Sequence, residues 1–294
     1  MGVVIGSEAL AAGRVTRHEL RTRYRRMFPD IYGPPNPSIR DRVCGAWLWS
    51  RRRGVVAGVA ASALHYAKWV DDDVPIEMLW RNTHPPKGLI VRAEAWAEDE
   101  VTTVAGIRVT TRARTIFDLG RHLERDAAVA RIDALLNRGK VTIDDVLPLL
   151  TRYPCARGMP GLRTALGLVD AGADSPRETR LRLALTDAGM RPTGTQIVVR
   201  DTRGRIIAKV DMGWEDLKIA VQYDGGHHQT DRVTYVRDQK VNRDLAALGW
   251  IVIRVIAEDS DADAVGRTAA ALYSRGWRVA RTWFQPGLGM SVVG

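Results

Sequence analysis

The stretch from Lys209 to His228, with an acid inside one apolar run and another closing the next, constrains this chain more than any other. Two apolar runs, Ile206 to Met212 and Leu217 to Tyr223, flank a short polar turn and read as a β-hairpin. Asp211 interrupts the first run and Asp224 ends the second. A carboxylate on a half-buried strand is costly unless its charge is compensated. A hard divalent cation is one compensator, and it prefers oxygen ligands. Side chains alternate along a strand, so Ala220, Gln222 and Asp224 share one face, as do Lys209 and Asp211. A turn centred near Glu215 and Asp216 puts Asp211 across from Ala220 and diagonal to Gln222.

The flanking segments predict an α-β-β-β-α-β order. Ser175 caps a helix with Pro176 first and Glu178 third, which is the capping-box arrangement, and the helix ends near Gly189. Gln196 to Arg200 reads as a strand, Asp201 to Gly204 as a turn, and Asp231 to Leu248 as a helix closed by Gly249. Trp250 to Val255 then reads as a buried strand reached by a right-handed crossover, and Ala264 to Tyr273 as a terminal helix. Asp224-Gly225 is equally a plain turn signal, and capping alone accounts for Glu178.

An Asp on one strand, a polar-x-acid triplet on the next and then Gly-Gly-His-His resembles the restriction-endonuclease-like, PD-(D/E)xK nucleases. Within them it is most similar to the branch near the very-short-patch mismatch-repair endonuclease, over roughly residues 175 to 258. That resemblance implies a DNA-binding, metal-dependent endonuclease serving DNA repair or defence against phage and plasmids. Mg²⁺ or Mn²⁺ would be held by Asp211 and Asp224, with the Tyr223 carbonyl between them and Glu178 completing the shell. Gln222 stands where relatives carry Glu and could hold a water, but it cannot act as a general base. His227 or His228 would serve as general acid or base, and Lys240 is a candidate for a catalytic lysine that has moved to a helix. Arg237, Arg243 and Arg254 read as phosphate contacts or as partners for Asp238 and Asp244.

Upstream, Thr16 can cap a helix through Glu19, Leu20 and Tyr24, with Arg21, Arg23, Arg25 and Arg26 on it or just beyond. A short strand and Gly/Pro turn follow, and the whole resembles a winged helix-turn-helix with a basic DNA-contacting face. The phrases Gly58 to Tyr66 and Gly106 to Leu119 resemble AbiEi-type antitoxin-related proteins. Residues 38 to 66 read as helical, including Val55 to Leu64; residues 76 to 109 read as strands. Helices are expected over Thr111 to Leu123, Asp126 to Leu136, Val141 to Leu150 and Gly161 to Val169. His65, in an Ala/Leu helix, reads as a core residue.

The expected architecture is thus α/β (α+β). Residues 1–40 form a winged helix, 41–137 an α/β middle domain, 138–174 a helical linker and 175–294 the nuclease-like domain. A net charge of +10 over 294 residues points to a polyanionic partner, DNA first. Cys44 and Cys155 make no disulfide framework or zinc motif. With no secretory leader and no long apolar run, the expectation is a cytoplasmic protein without a membrane partner. The second reading is a catalytically weak or inactive DNA-binding regulator, antitoxin- or repressor-like. A homodimer or a partner-completed site stays open.

Overall fold

The computed structural model describes residues 2–81, 84–225 and 232–278. The fold is mixed α/β, with three sheets and surrounding helices, in two compact units, Met1–Arg180 and Leu181–Gly294.

The first unit opens with β1 (Val4–Ile5), α1 (Gly6–Ala11), α2 (Arg17–Thr22), β2 (Arg25–Phe28) and β3 (Ile31–Gly33). The strands pair in the order β1-β3-β2. Thr16 and Glu19 close a reciprocal capping box on α2, which fixes where that helix begins. Arg25 and Arg26 therefore lie on a strand and not on the helix. A second box, Ser38 with Asp41, starts α3 (Ile39–Trp49). Then come β4 (Val55–Ala57), α4 (Gly58–Leu64), β5 (Ile76–Leu79), β6 (Leu89–Arg92), β7 (Val101–Val104) and β8 (Ile107–Thr110). Their five-stranded sheet has the order β6-β5-β4-β8-β7. α5 (Arg112–His122), α6 (Arg125–Leu136), α7 (Leu147–Arg152) and α8 (Met159–Leu168) follow.

Two sequence expectations fail in this unit. Val55 to Ala57 is a strand, central in its sheet and buried throughout. A short apolar run covered on both faces has the same pattern as a buried helix. The break that separates it from α4 is Gly58, at φ +58, where a Cβ would strike the Glu77 carboxylate. The helix expected from Val141 starts only at Leu147, because Thr142 bonds Asp145 through its amide and hydroxyl in a local turn. One hydrophobic cluster joins Phe28 and Ile31 to Val43, Ala46, Val56, Met78 and Val109. The small sheet and the five-stranded sheet thus share a core.

α9 (Pro176–Asp187) spans the division between the units. The second unit continues with β9 (Gly194–Arg200), β10 (Ile206–Trp214), β11 (Ile219–Asp224), α10 (Arg232–Ala247), β12 (Ile251–Ile256) and α11 (Asp261–Ser274). Its sheet order is β12-β11-β10-β9, with β11 and β12 parallel and joined through α10. Leu181, Leu185, Met212, Trp214, Ile219, Val221, Ile253, Val255, Ala264 and Leu272 form one cluster, so α9 and α11 cover one sheet face. Val210, Ala220, Leu245 and Trp250 form another with Val241 and Val252, which puts α10 on the opposite face. Among the described residues no helix is long and apolar enough to cross a membrane.

The hairpin register differs from the one expected. Gly213 faces Ala220 and Met212 faces Val221, so the turn sits one residue later and Asp211 falls level with Gln222. A shift of two in the pairing preserves parity at Met212 and Gly213, but regular alternation breaks at Asp211, since Val210 and Met212 pack on opposite faces.

Candidate functional site

Three strands of the second unit converge near Asp211. Ladder pairing between β10 and β11 stops at Met212. One residue on, the Tyr223 amide donates instead to the Asp211 carboxylate, N to Oδ2, at 2.7 Å. A side chain therefore takes over where backbone pairing ends, and the Asp211 carboxylate is seated beside the Gln222–Asp224 segment. Gly213 makes this geometry accessible, since a Cβ there would strike the Ile219 carbonyl and push β10 off β11.

The other neighbour of β10 is irregular at the same level. Val210 faces Ile197 and Met212 faces Thr195, which leaves Gln196 opposite Asp211 with φ +51. Non-glycine residues seldom adopt that conformation. The covered face changes here too: Val210 packs in the α10 cluster, Met212 in the α9 and α11 cluster. Irregular strands of this kind are common where a side chain must be re-aimed.

On the α10 face, Gln222 pairs with Arg254 across the parallel strands. The Arg254 guanidinium reaches Asp224 (Nη1 to Oδ2, 3.4 Å) and donates to Asn242 on α10 (Nη2 to Oδ1, 2.7 Å). Arg254 is thus tied to Asp224 and Asn242, a partnership that sequence spacing did not suggest. Gln222 Oε1 is buried without a hydrogen-bond donor among the described residues. A buried acceptor of this kind favours a donor or a cation as its missing neighbour.

Glu178 lies in the first unit, where Oε1 accepts from the Ser175 hydroxyl and Oε2 from the Asp174 amide, so it serves the cap. Lys240, Arg237 and Arg243 are solvent-exposed on α10. Tyr223 pairs with Val255. His227 and His228 lie outside the described residues. Among the described residues no group of three His, Cys, Asp or Glu side chains could hold a metal ion. Arg21, Arg23, Arg25 and Arg26 are exposed, with Arg23 paired to Glu19 at 3.3 Å. Arg25 and Arg26 line a groove of about 330 Å³ together with Arg42, Lys87, Asp72 and Asp73.

Sequence reading missed a buried charge network in the first unit. Arg114, 1% exposed, binds Glu100 and Asp118. Arg121 joins Asp118 at 2.8 Å and Glu94 at 2.5 Å, and Glu94 accepts from His122 at 3.1 Å. Glu100 also takes Arg152 at 2.6 Å and the Tyr153 hydroxyl at 2.8 Å. Burial alone would raise the Glu94 carboxyl, but hydrogen bonds from His122 and Arg121 outweigh it and hold it down at about 2. The signal was the (i, i+4) and (i, i+3) spacing of Arg114, Asp118 and Arg121 on one helix face. His65 is 2% exposed and hydrogen-bonds the Thr110 carbonyl, and burial pushes its pKa down, as in a packed core residue.

Two curated proteins resemble this chain over most of its length. They are the uncharacterized proteins MT2308 and Rv2248, from two strains of Mycobacterium tuberculosis. Each is 25% identical over 249 residues, covering 84% of this chain and 90% of the relative. No family model and no solved structure matches the chain.

Proposed function

We propose that this protein binds DNA and hydrolyses its phosphodiester bonds with a divalent cation, Mg²⁺ or Mn²⁺, held at Asp211 and Asp224. In this reading the first five elements, β1 to β3 with α1 and α2, act as a winged helix. The α9-β9-β10-β11-α10-β12 series acts as a restriction-endonuclease-like core. The observation that carries it is the Tyr223 amide bond to Asp211, which seats a carboxylate of β10 against the β11 segment that carries Gln222 and Asp224. The donor set suits a hard cation: two carboxylates and the unpartnered Gln222 carboxamide oxygen. Bound there, the cation would supply a nucleophilic water and neutralise charge on the phosphate.

The chain's own groups have separate tasks. Gln222 accepts a hydrogen bond and positions, but removes no proton. Arg254 fixes the orientation of Asp224 through its link to Asn242. Arg237, Lys240 and Arg243 present exposed charge along α10 for phosphates. The net charge of +10 and the Arg25, Arg26, Arg42 and Lys87 groove support a polyanionic partner. Full-length protein should nick supercoiled plasmid or mismatched duplex with Mg²⁺ or Mn²⁺, and Asp211→Asn should abolish it. Intact substrate under every such condition removes the hydrolase.

A second reading, a DNA-binding regulator that does not cut, is favoured by Arg254. Its guanidinium already sits on Asp224, and Gln222 brings no negative charge. It predicts duplex binding that weakens steeply with salt and is indifferent to EDTA.

A further inference from the structure

A cavity of about 600 Å³ lies wholly within the first unit and shares no residue with the Asp211 and Asp224 site. That is within the range of small-ligand pockets, roughly 300–1,000 Å³. One part of its lining is aromatic. Trp49, ending α3, and Trp80, just after β5, meet edge to face, with ring centroids 5.3 Å apart and planes at 87°. Such a pairing occupies one face of one indole and leaves the others to the core and the cavity. Both rings are only half-buried.

The polar part of the lining is an acceptor and a cation. Asp30 receives the Ser7 amide on Oδ1 at 2.9 Å and the Ser7 hydroxyl on Oδ2 at 2.5 Å. A carboxylate offers about four lone-pair positions, so its accepting capacity is half used. Glu8, also on the lining, is neutralised by Arg52 at 3.0 Å. Arg51 lines the cavity, and its side chain has no hydrogen-bond or ion-pair partner among the described residues.

The backbone gives an independent reason to look here. Arg51 and Arg52 are consecutive and left-handed, with φ +53 and +63. A residue with a Cβ is strained in that conformation. Gly or Asn would close α3 more cheaply. The chain instead places Arg at both positions, one anchored to Glu8 and one directed to the cavity lining. Strain of this sort persists where a side chain has a task.

We propose that this cavity binds an unpaired nucleobase. The ring lies against the Trp49 and Trp80 indoles, an exocyclic amino group donates to Asp30, and the attached phosphate meets Arg51. Aromatic side chains serve every base as stacking platforms. The Asp30 carboxylate favours adenine, cytosine or guanine, which donate from an exocyclic amino group, over thymine, whose one base donor, N3–H, is flanked by two carbonyl oxygens that a carboxylate repels. The site goes beyond the nuclease reading and stands or falls separately from it.

The test uses full-length protein in EDTA, so that cleavage cannot intervene, with dAMP, dTMP, and single-stranded oligo(dA) and oligo(dT) as probes. Oligo(dA) should bind about tenfold tighter than oligo(dT), the worth of one charge-assisted hydrogen bond. Trp80→Ala should weaken oligo(dA) binding roughly 5- to 100-fold, the usual range for one stacked base, while Trp80→Phe retains most of it. Arg51→Gln, an exposed change that leaves the core intact, should also weaken it and decides the matter if Trp80→Ala does not fold. If dAMP binds as well as the oligomer, a free nucleotide is the ligand. If only the oligomer binds, the ligand is an unpaired base within a strand. Equal affinity for oligo(dA) and oligo(dT), or binding unchanged by both Trp80→Phe-matched Trp80→Ala and Arg51→Gln, overturns the proposal.

Discussion

The two units surround their buried and half-buried carboxylates differently. In the first, arginines meet the acids: Arg114 and Arg121 on Asp118, Arg114 and Arg152 on Glu100, Arg121 on Glu94, and Arg92 on Glu77 at 2.8 Å. In the second, half-buried Asp211 accepts the Tyr223 amide, half-buried Asp224 meets Arg254 at 3.4 Å, and the buried Gln222 Oε1 has no donor among the described residues. A charge network closed by its own cations fixes how helices and strands dock. A buried acceptor without a donor, as at Gln222 Oε1, leaves room for a donor or cation from outside the chain. Buried acid alone therefore does not mark a functional site; the balance of donors and acceptors around it does.

The largest test breaks the first half of that contrast. Arg114→Met should cost about 3–5 kcal/mol of stability in the first unit, because Glu100 and Asp118 lose a buried partner. Urea unfolding followed by Tyr and Trp fluorescence would measure it. A loss below about 1 kcal/mol would mean that water screens the network as it does at surfaces. A smaller effect comes from acid. The folded Glu94 carboxyl sits at about 2 against an ordinary value of 4.5. A depressed carboxylate contributes stability that is present above its unfolded pKa and is lost as pH falls through the folded one. Wild-type protein should therefore lose roughly 1–3 kcal/mol between pH 4.5 and 2 from this group, after allowance for its partial exposure. Glu94→Gln should be less stable at neutral pH and flatter across that window; an identical acid profile would remove Glu94 from the account.

Periodicity made much of this molecule legible. The Ser175 and Glu178 cap, the strands around Asp211 and Asp224, and the helix before β12 could all be placed from local pattern. Register could not, because a Glu-Asp-Leu-Lys turn admits more than one centre, and the actual one has Lys218 at φ +53 bonding back to Glu215. Val55 to Ala57 was misread because complete burial erases alternation. Non-local charge pairing was the least legible. Arg254 lies 30 residues from Asp224, and Arg152 lies 52 from Glu100. No local spacing announces either contact, since each depends on sheet order. The same holds for the Trp49 and Trp80 cavity, whose lining comes from segments separated by turns.

The finest test lies at Arg254, which meets Asp224 as the arginines of the first unit meet their acids. Its guanidinium on Asp224 competes with any divalent ion there, yet it is also braced by Asn242 and could orient the carboxylate for that ion. The two effects have opposite signs. Arg254→Gln removes the charge while keeping a hydrogen-bonding amide near Asn242. If competition dominates, Mn²⁺ affinity measured by calorimetry should rise about tenfold, the equivalent of one charge-assisted hydrogen bond released from Asp224. If orientation dominates, affinity should fall by about the same factor, as when an outer partner of a metal ligand is lost. The side chain is part-exposed, which weakens its Coulomb hold on Asp224, so competition by Arg254 sets only this modest factor. Gln222→Glu should then add to the gain, because it turns the unpartnered oxygen into a third carboxylate. No measurable Mn²⁺ binding in either variant would place the acceptor cluster with the charge network of the first unit, as architecture.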